Sequence, residues 1–185
     1  LIEKPLGRIP IITSSLSLKK ENQLIDRIKE KIKNSSSKFY WVCPLIEESE
    51  ELDLKAAEER YKILKKYFKN KVLLMHGRLS EIEKEEIMTK FKNEDYKILV
   101  STTVIEVGVD IPSATTIVIE HAERFGLAQL HQLRGRVGRN DIQSYCILLH
   151  KDNIGEISKK RIEIMKQTND GFKIAEEDLK IRGPG

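Results

Sequence analysis

The stretch YKILVSTTVIEVGVDIPSATTIVIEH, residues 96–121, holds two short apolar runs on either side of a loop. The first run covers residues 96–102 and the second covers residues 115–121, and both are rich in branched aliphatic residues. Such a run is typical of a strand that is buried on both faces. Further runs of the same kind occupy residues 38–46, 71–77 and 144–150. The sequence therefore predicts five buried strands.

Helical patterns separate these strands. Ser80 and Glu83 form a capping box, in which each side chain satisfies an unpaired backbone N–H at the start of a helix. Strands that alternate with helices imply right-handed crossovers and a mostly parallel sheet covered on both faces, so the fold class is α/β. The helices are predicted at residues 18–34, in a segment ending near residue 70, at residues 80–91 and around residues 128–133.

The two ends of the chain depart from this alternation. Residues 1–16 are punctuated by Pro and Ser and predict a linker, with an edge strand in IPIIT, residues 9–13. Residues 155–168 and 173–181 predict two amphipathic helices joined by NDG, in which Gly171 is a candidate C-cap. We therefore expect a fragment of a longer protein, with a linker at residues 1–16, an α/β domain at residues 17–152 and a helical hairpin at residues 153–185.

Composition narrows the class of protein only slightly. Lys and Arg number 33 against 29 Asp and Glu, and this net charge of +4 permits nucleic acid as a partner without demanding it. Cys43 and Cys146 lie in apolar runs and predict buried thiols of a reducing compartment. No apolar run approaches the roughly 20 residues that cross a bilayer, and no signal peptide opens the chain. We expect a cytoplasmic protein without a membrane partner.

Three unusual motifs flank the predicted strands. HGR, residues 76–78, and STTVIEVGVDIP, residues 101–112, each follow a strand, while QLRGRVGR, residues 132–139, precedes the last strand. Ligands of an open parallel sheet bind beyond the carboxyl ends of its strands. We therefore expect the three motifs to lie together on that edge.

The arginines of QLRGRVGR are suited to phosphate. A guanidinium group bonds phosphate oxygens in pairs and keeps its charge, and Arg136 and Arg139 would point the same way on one helical turn. Gly135 and Gly138 remove side chains that would hold another surface at a distance. The alternative is a solvated helix that ends at glycine and carries Arg134 and its neighbours for solubility.

The loop after residue 101 offers polar groups of another kind. Thr102 and Thr103 can present hydroxyl and N–H groups to a sugar–phosphate backbone, Gly108 permits a tight turn, and Asp110 can accept from a ribose hydroxyl. The alternative is an ordinary strand–turn–strand with a capping aspartate. For HGR, the alternative is that His76 only stabilises a turn.

Together these motifs resemble those of superfamily 2 helicases. QLRGRVGR resembles the sixth motif of that superfamily, STTVIEVGVDIP resembles the fifth, and FYWVCPLI, residues 39–46, resembles the fourth. Their order and spacing agree with the second of the two RecA-like motor domains. The resemblance implies a RecA-like three-layer domain.

The resemblance is closest to the RecG family of branched-DNA translocases. It is carried by ERFGLAQLHQLRGRVGR, residues 123–139, by TNDGFKIAEEDLKIRGPG, residues 168–185, and by GRIPIIT, residues 7–13. The transcription-repair coupling factor shares FGLAQLHQLRGRVGR, but it usually differs around TNDG and has a small residue in place of Pro184. That translocase is one alternative, and a non-catalytic RecA-like module that binds nucleic acid is a second.

The resemblance implies half of an ATP site. No phosphate-binding loop GxxxxGK[ST] occurs here, so ATP and Mg²⁺ would be held mainly by an upstream RecA-like domain. Arg136 and Arg139 would reach the γ-phosphate, Arg139 as the principal finger, and Gln132 would position the nucleotide. Gly108, Asp110 and Gly135 would line it, and this chain alone would hydrolyse little ATP.

The resemblance also implies DNA contacts. Thr102 and Thr103 would hold a nucleic-acid phosphate, and His76, Gly77 and Arg78 would line the same backbone track. The terminal hairpin resembles the family's translocation motif, here truncated, although a simple packing appendage is the alternative. The implied protein is a monomeric ATP-dependent DNA helicase that acts on forks and four-way junctions in repair and recombination, with a DNA-binding wedge domain in the same chain.

Overall fold

A six-stranded sheet, in which every neighbouring pair of strands is parallel, forms the centre of the computed structural model. The structure describes residues 9–44, 49–102, 110–138 and 141–183. The strands are β1 (Ile12–Ser17), β2 (Lys38–Val42), β3 (Val72–Met75), β4 (Ile98–Ser101), β5 (Ala114–Ile119) and β6 (Tyr145–His150), in the spatial order β1-β6-β5-β2-β4-β3. The helices are α1 (Glu21–Asn34), α2 (Glu50–Phe68), α3 (Glu81–Asn93), α4 (Leu127–Arg134), α5 (Glu156–Gln167) and α6 (Gly171–Arg182).

Helices cover both faces of this sheet. The helices α1 and α2 pack on one face around the fully buried Trp41, and α3 to α6 supply the apolar layer on the other face, around Ile117 and Leu130. All residues of β2, β4 and β5 are buried, as their continuous apolar runs predicted. The α/β class and the three-layer architecture are therefore confirmed.

Local signals explain where the helices begin. Ser80 and Glu83 form the predicted capping box at the start of α3. The Ser49 hydroxyl accepts from the N–H of Leu52 and caps the start of α2. Both cysteines are buried free thiols as predicted, and burial raises the pKa of Cys146 to about 12, so this thiol is inert at neutral pH.

Two predictions at the ends of the chain need correction. The edge strand β1 runs from Ile12 to Ser17, so the sheet takes in residues that the sequence assigned to the linker. Gly171 does not cap the end of α5. It is the first residue of α6, whose N-cap Asp170 accepts from the N–H of Phe172.

In the described part of the chain, no helix is both long and apolar enough to span a membrane.

Candidate functional site

The predicted site residues lie at two edges of the sheet. His76 and Thr102 follow the carboxyl ends of β3 and β4. Gly138 lies beside Ser144 and Ile11, which immediately precede the amino ends of β6 and β1. The expectation that all three motifs share the carboxyl edge is therefore wrong, because the chain crosses the sheet along α4 before it enters β6.

A small cavity at the carboxyl edge brings four of the predicted nucleic-acid contacts together. Its volume is about 100 Å³, and the N-terminal turn of α2 forms one wall. The start of a helix carries partial positive charge and favours anions, although the acidic residues of α2 oppose that effect here. The lining residues are Glu50, Asp53, Leu54, His76, Gly77, Arg78 and Thr102.

Thr102 is the buried polar member of this cavity. Its side chain is only 3% exposed, and its N–H donates to the carbonyl of Met75 at 3.2 Å. Its Oγ1 atom is buried without a hydrogen-bond partner in the structure. A buried hydroxyl without a partner costs free energy, so its position next to a cavity is the arrangement expected of a ligand contact.

His76 and Arg78 form a turn at the mouth of the same cavity. Nδ1 of His76 accepts from the N–H of Arg78 at 3.3 Å, so this histidine stabilises the turn as the alternative interpretation held. The Arg78 guanidinium is about half exposed and lies 3.8 Å from the carboxylate of Glu51. Such an exposed pair is weak, and Arg78 is free to exchange Glu51 for a phosphate.

A packed loop at the amino edge carries Arg136. The helix α4 ends at Arg134, and Gly138 adopts a positive φ of 80°, which rules out the predicted helical turn through these residues. Val137 is buried, and a Cβ on Gly138 would lie 2.6 Å from the Ile11 side chain. The Arg136 side chain makes no hydrogen bond or ion pair with the residues that the structure describes, so it is available to a ligand.

The other predicted nucleotide contacts are open to solvent. Gln132 and Gly135, at the end of α4, and Asp110, ahead of β5, are exposed. An ATP molecule needs an enclosing set of phosphate ligands, and this edge offers one described guanidinium on an open surface. The residues present therefore fit one wall of a nucleotide site. Thr103, Gly108 and Arg139 lie outside the described residues.

Arg134 has a structural position that the sequence did not predict. Its side chain is 1% exposed and donates to the carbonyl of Met165 at 2.6 Å and to Oγ1 of Thr13 at 3.1 Å, and its Nη2 lies 3.3 Å from Nδ1 of His131. Burial lowers the pKa of the Arg134 guanidinium. Arg134 thus joins α4, α5 and β1, and it holds no phosphate.

Comparison with known proteins places the chain in a family. Residues 19–141 match the family described as Helicase conserved C-terminal domain, and the chain belongs to that family. Within it, the chain is 48% identical to the ATP-dependent DNA helicase RecG of Pasteurella multocida over 184 residues, and 52% identical to RecG of Aquifex aeolicus over 187 residues. These matches cover 99% of this chain, so the predicted RecG-type resemblance is confirmed.

Solved structures agree with this assignment. The structure of RecG bound to a three-way DNA junction matches with a TM-score of 0.83 and 46% identity, and covers 99% of this chain and 24% of that chain. Domain 2 of the Mss116p DEAD-box helicase, bound to an RNA duplex, matches with a TM-score of 0.67 and 20% identity, over 93% of this chain and 69% of that chain. At this identity the match supports the fold alone. The chain spans about a quarter of the length of its RecG relatives, 27% and 23% of the two named above.

Proposed function

We propose that the chain is the second motor domain of an ATP-dependent DNA helicase that translocates on branched DNA and remodels forks and four-way junctions. ATP and Mg²⁺ are bound mainly by an upstream RecA-like domain. Arg136 and Arg139 of this chain reach the same nucleotide. The observation that carries this proposal is the loop after α4, from which the Arg136 side chain extends without a partner among the described residues. The buried Val137 and the tightly packed Gly138 keep that loop in place.

The division of candidate residues between two edges supports two ligands. Arg136 at the amino edge and Arg139 stabilise the charge that builds on the γ-phosphate, Gln132 orients the nucleotide, and Gly108, Asp110 and Gly135 line it. Thr102 and the HGR turn at the carboxyl edge, together with Thr103, hold the backbone of one DNA strand. ATP and its hydrolysis products favour different arrangements of the two motor domains, so the cycle shifts this carboxyl edge along the DNA.

The wider features of this proposal follow the RecG relatives. The linker at residues 1–16 leads from the upstream motor domain, residues 17–152 form the second motor domain, and the hairpin of residues 153–185 passes motor movement to duplex DNA. A wedge domain in the same polypeptide engages the junction, and the protein acts as a cytoplasmic, nucleoid-associated monomer in repair and recombination.

Hydrolysis of ATP with and without forked DNA tests this proposal. We expect this chain alone to hydrolyse little ATP, because it contributes one wall of the site, and we expect the full gene product to be strongly stimulated by forks. Appreciable turnover by this chain alone would place the whole phosphate site within it. A full gene product that ignores forked DNA would overturn the DNA-dependent motor.

Thr102→Val should separate DNA binding from stability. Valine keeps the shape of threonine and removes the buried hydroxyl that has no partner, so the folded chain should become more stable by about 1 kcal/mol. The same change removes a phosphate contact, and fork affinity of the full gene product should fall about fivefold, the loss expected for one hydrogen bond of about 1 kcal/mol. Urea unfolding and fluorescence anisotropy measure the two effects.

A matched control for this variant is Thr115→Val. Thr115 is also buried with an unpartnered Oγ1, but it lies in β5 and does not line the cavity. It should show a similar gain in stability and no change in fork affinity. If both variants bind forks equally well, Thr102 does not contact DNA.

A further inference from the structure

One asparagine joins the terminal hairpin to the chain that enters the sheet. In the connection between α5 and α6, Oδ1 of Asn169 accepts from the N–H of Ile11 at 3.0 Å, and its Nδ2 donates to the carbonyl of Ile11 at 3.0 Å. A single side chain therefore bonds both backbone groups of a residue that lies 158 positions away. The ladder between β1 and β6 starts with the next residue, Ile12.

Ile11 also contacts the loop that carries Arg136. Its side chain fills the space where a Cβ of Gly138 would lie, at 2.6 Å. The neighbouring carbonyl of Pro10 accepts from Nε2 of Gln143 at 2.9 Å. The entering segment, the Arg136 loop and the hairpin connection thus meet at Ile11, at the amino edge of the sheet.

Hydrogen bonds hold the hairpin connection at both of its ends. The N–H of Thr168 donates to the carbonyl of Ile164 at the end of α5, and the Asp170 side chain caps the start of α6. The N–H of Asp170 donates to Oγ1 of Thr168 at 3.0 Å. Asn169 is therefore held between two capped helix ends, and its side chain moves with the hairpin.

We propose that Asn169 is a positioning residue that ties the hairpin directly to the segment that enters from the upstream domain. A shift of that segment during the ATP cycle is then passed to the hairpin at Ile11, in step with the Arg136 loop. This inference rests on the proposed function, because it assumes an upstream motor domain that moves. Asn169 touches neither ATP nor DNA in this scheme, and it acts through Ile11.

The variant Asn169→Ala in the full gene product tests this role. We expect fork-stimulated ATP hydrolysis to stay within about twofold of the parent, while the number of forks unwound per ATP falls about tenfold, within the usual range of coupling between two sites. Amide hydrogen exchange at Ile11 should quicken about tenfold, because its N–H loses its hydrogen bond to Oδ1 of Asn169. Exchange in β4, which lies four strands away from β1 in the sheet, should not change.

Asn70→Ala is the matched control. Asn70 is an exposed asparagine between α2 and β3, and its replacement should change neither coupling nor exchange at Ile11. Normal coupling in Asn169→Ala would overturn the inference, and so would a proportionate loss of hydrolysis and unwinding, which indicates a purely structural role. If the parent protein itself lacks fork-stimulated hydrolysis, the proposed function fails first and the inference falls with it.

Discussion

Arg139→Ala in the full gene product is expected to lower ATP turnover on forked DNA about 10³-fold or more, while ATP binding changes little. The reason is that an arginine finger acts on charge that develops only in the transition state, so its loss leaves ground-state affinity almost intact. Arg136→Ala should lower turnover as well, but by a smaller factor, since we propose Arg139 as the principal finger.

Single-turnover hydrolysis and equilibrium binding of a fluorescent ATP analogue separate these two quantities. Arg27→Ala is a suitable control, because Arg27 is an exposed arginine on α1, which packs on the face of the sheet opposite α4. It should retain full turnover. Unimpaired hydrolysis by Arg139→Ala would remove the finger assignment, and an equal loss of binding and turnover would make Arg139 a ground-state ligand.

Arg134→Ala should destabilise the folded chain by about 3 to 5 kcal/mol. The change opens a cavity where a fully buried side chain lay, and it leaves the carbonyl of Met165 and the hydroxyl of Thr13 without their donor. Because these bonds join α4 to α5 and to β1, the loss should appear as a lower urea midpoint for the whole chain.

Arg134→Met provides the informative comparison. Methionine refills much of the volume and removes a buried charge that has only neutral acceptors at hydrogen-bond distance, so it should recover roughly half of the lost stability. If methionine is as damaging as alanine, the hydrogen bonds dominate and packing contributes little. A stability loss below about 1 kcal/mol in Arg134→Ala would show that the buried contacts are unimportant.

The strands and the caps could be predicted because their causes are local. Continuous apolar runs identified β2, β4 and β5, and the pair of Ser80 and Glu83 identified the start of α3. Gly171 was misassigned, although Asp170 before it is itself a strong N-cap signal that could have placed Gly171 inside α6.

The positions of the site residues were harder to predict from the sequence than the strands and caps were. A parallel connection returns the chain from the carboxyl edge to the amino edge, so a motif directly before β6 had to lie at the amino edge, and this signal was available. The burial of Arg134 could not be predicted from the sequence, because its partners Thr13 and Met165 are 121 and 31 residues away. The link between Asn169 and Ile11 is equally non-local.

The position of β1 has a consequence for synthesis on the ribosome. Its first residue, Ile12, pairs with Tyr145 of β6, so β1 must wait until the rest of the sheet has emerged, on the order of ten seconds at ordinary translation rates. An unpaired strand invites aggregation during such a delay. The sequence of β1, ITSSLS, consists mostly of residues with hydroxyl side chains. The unpaired segment is therefore well solvated and has little tendency to aggregate before β6 is made.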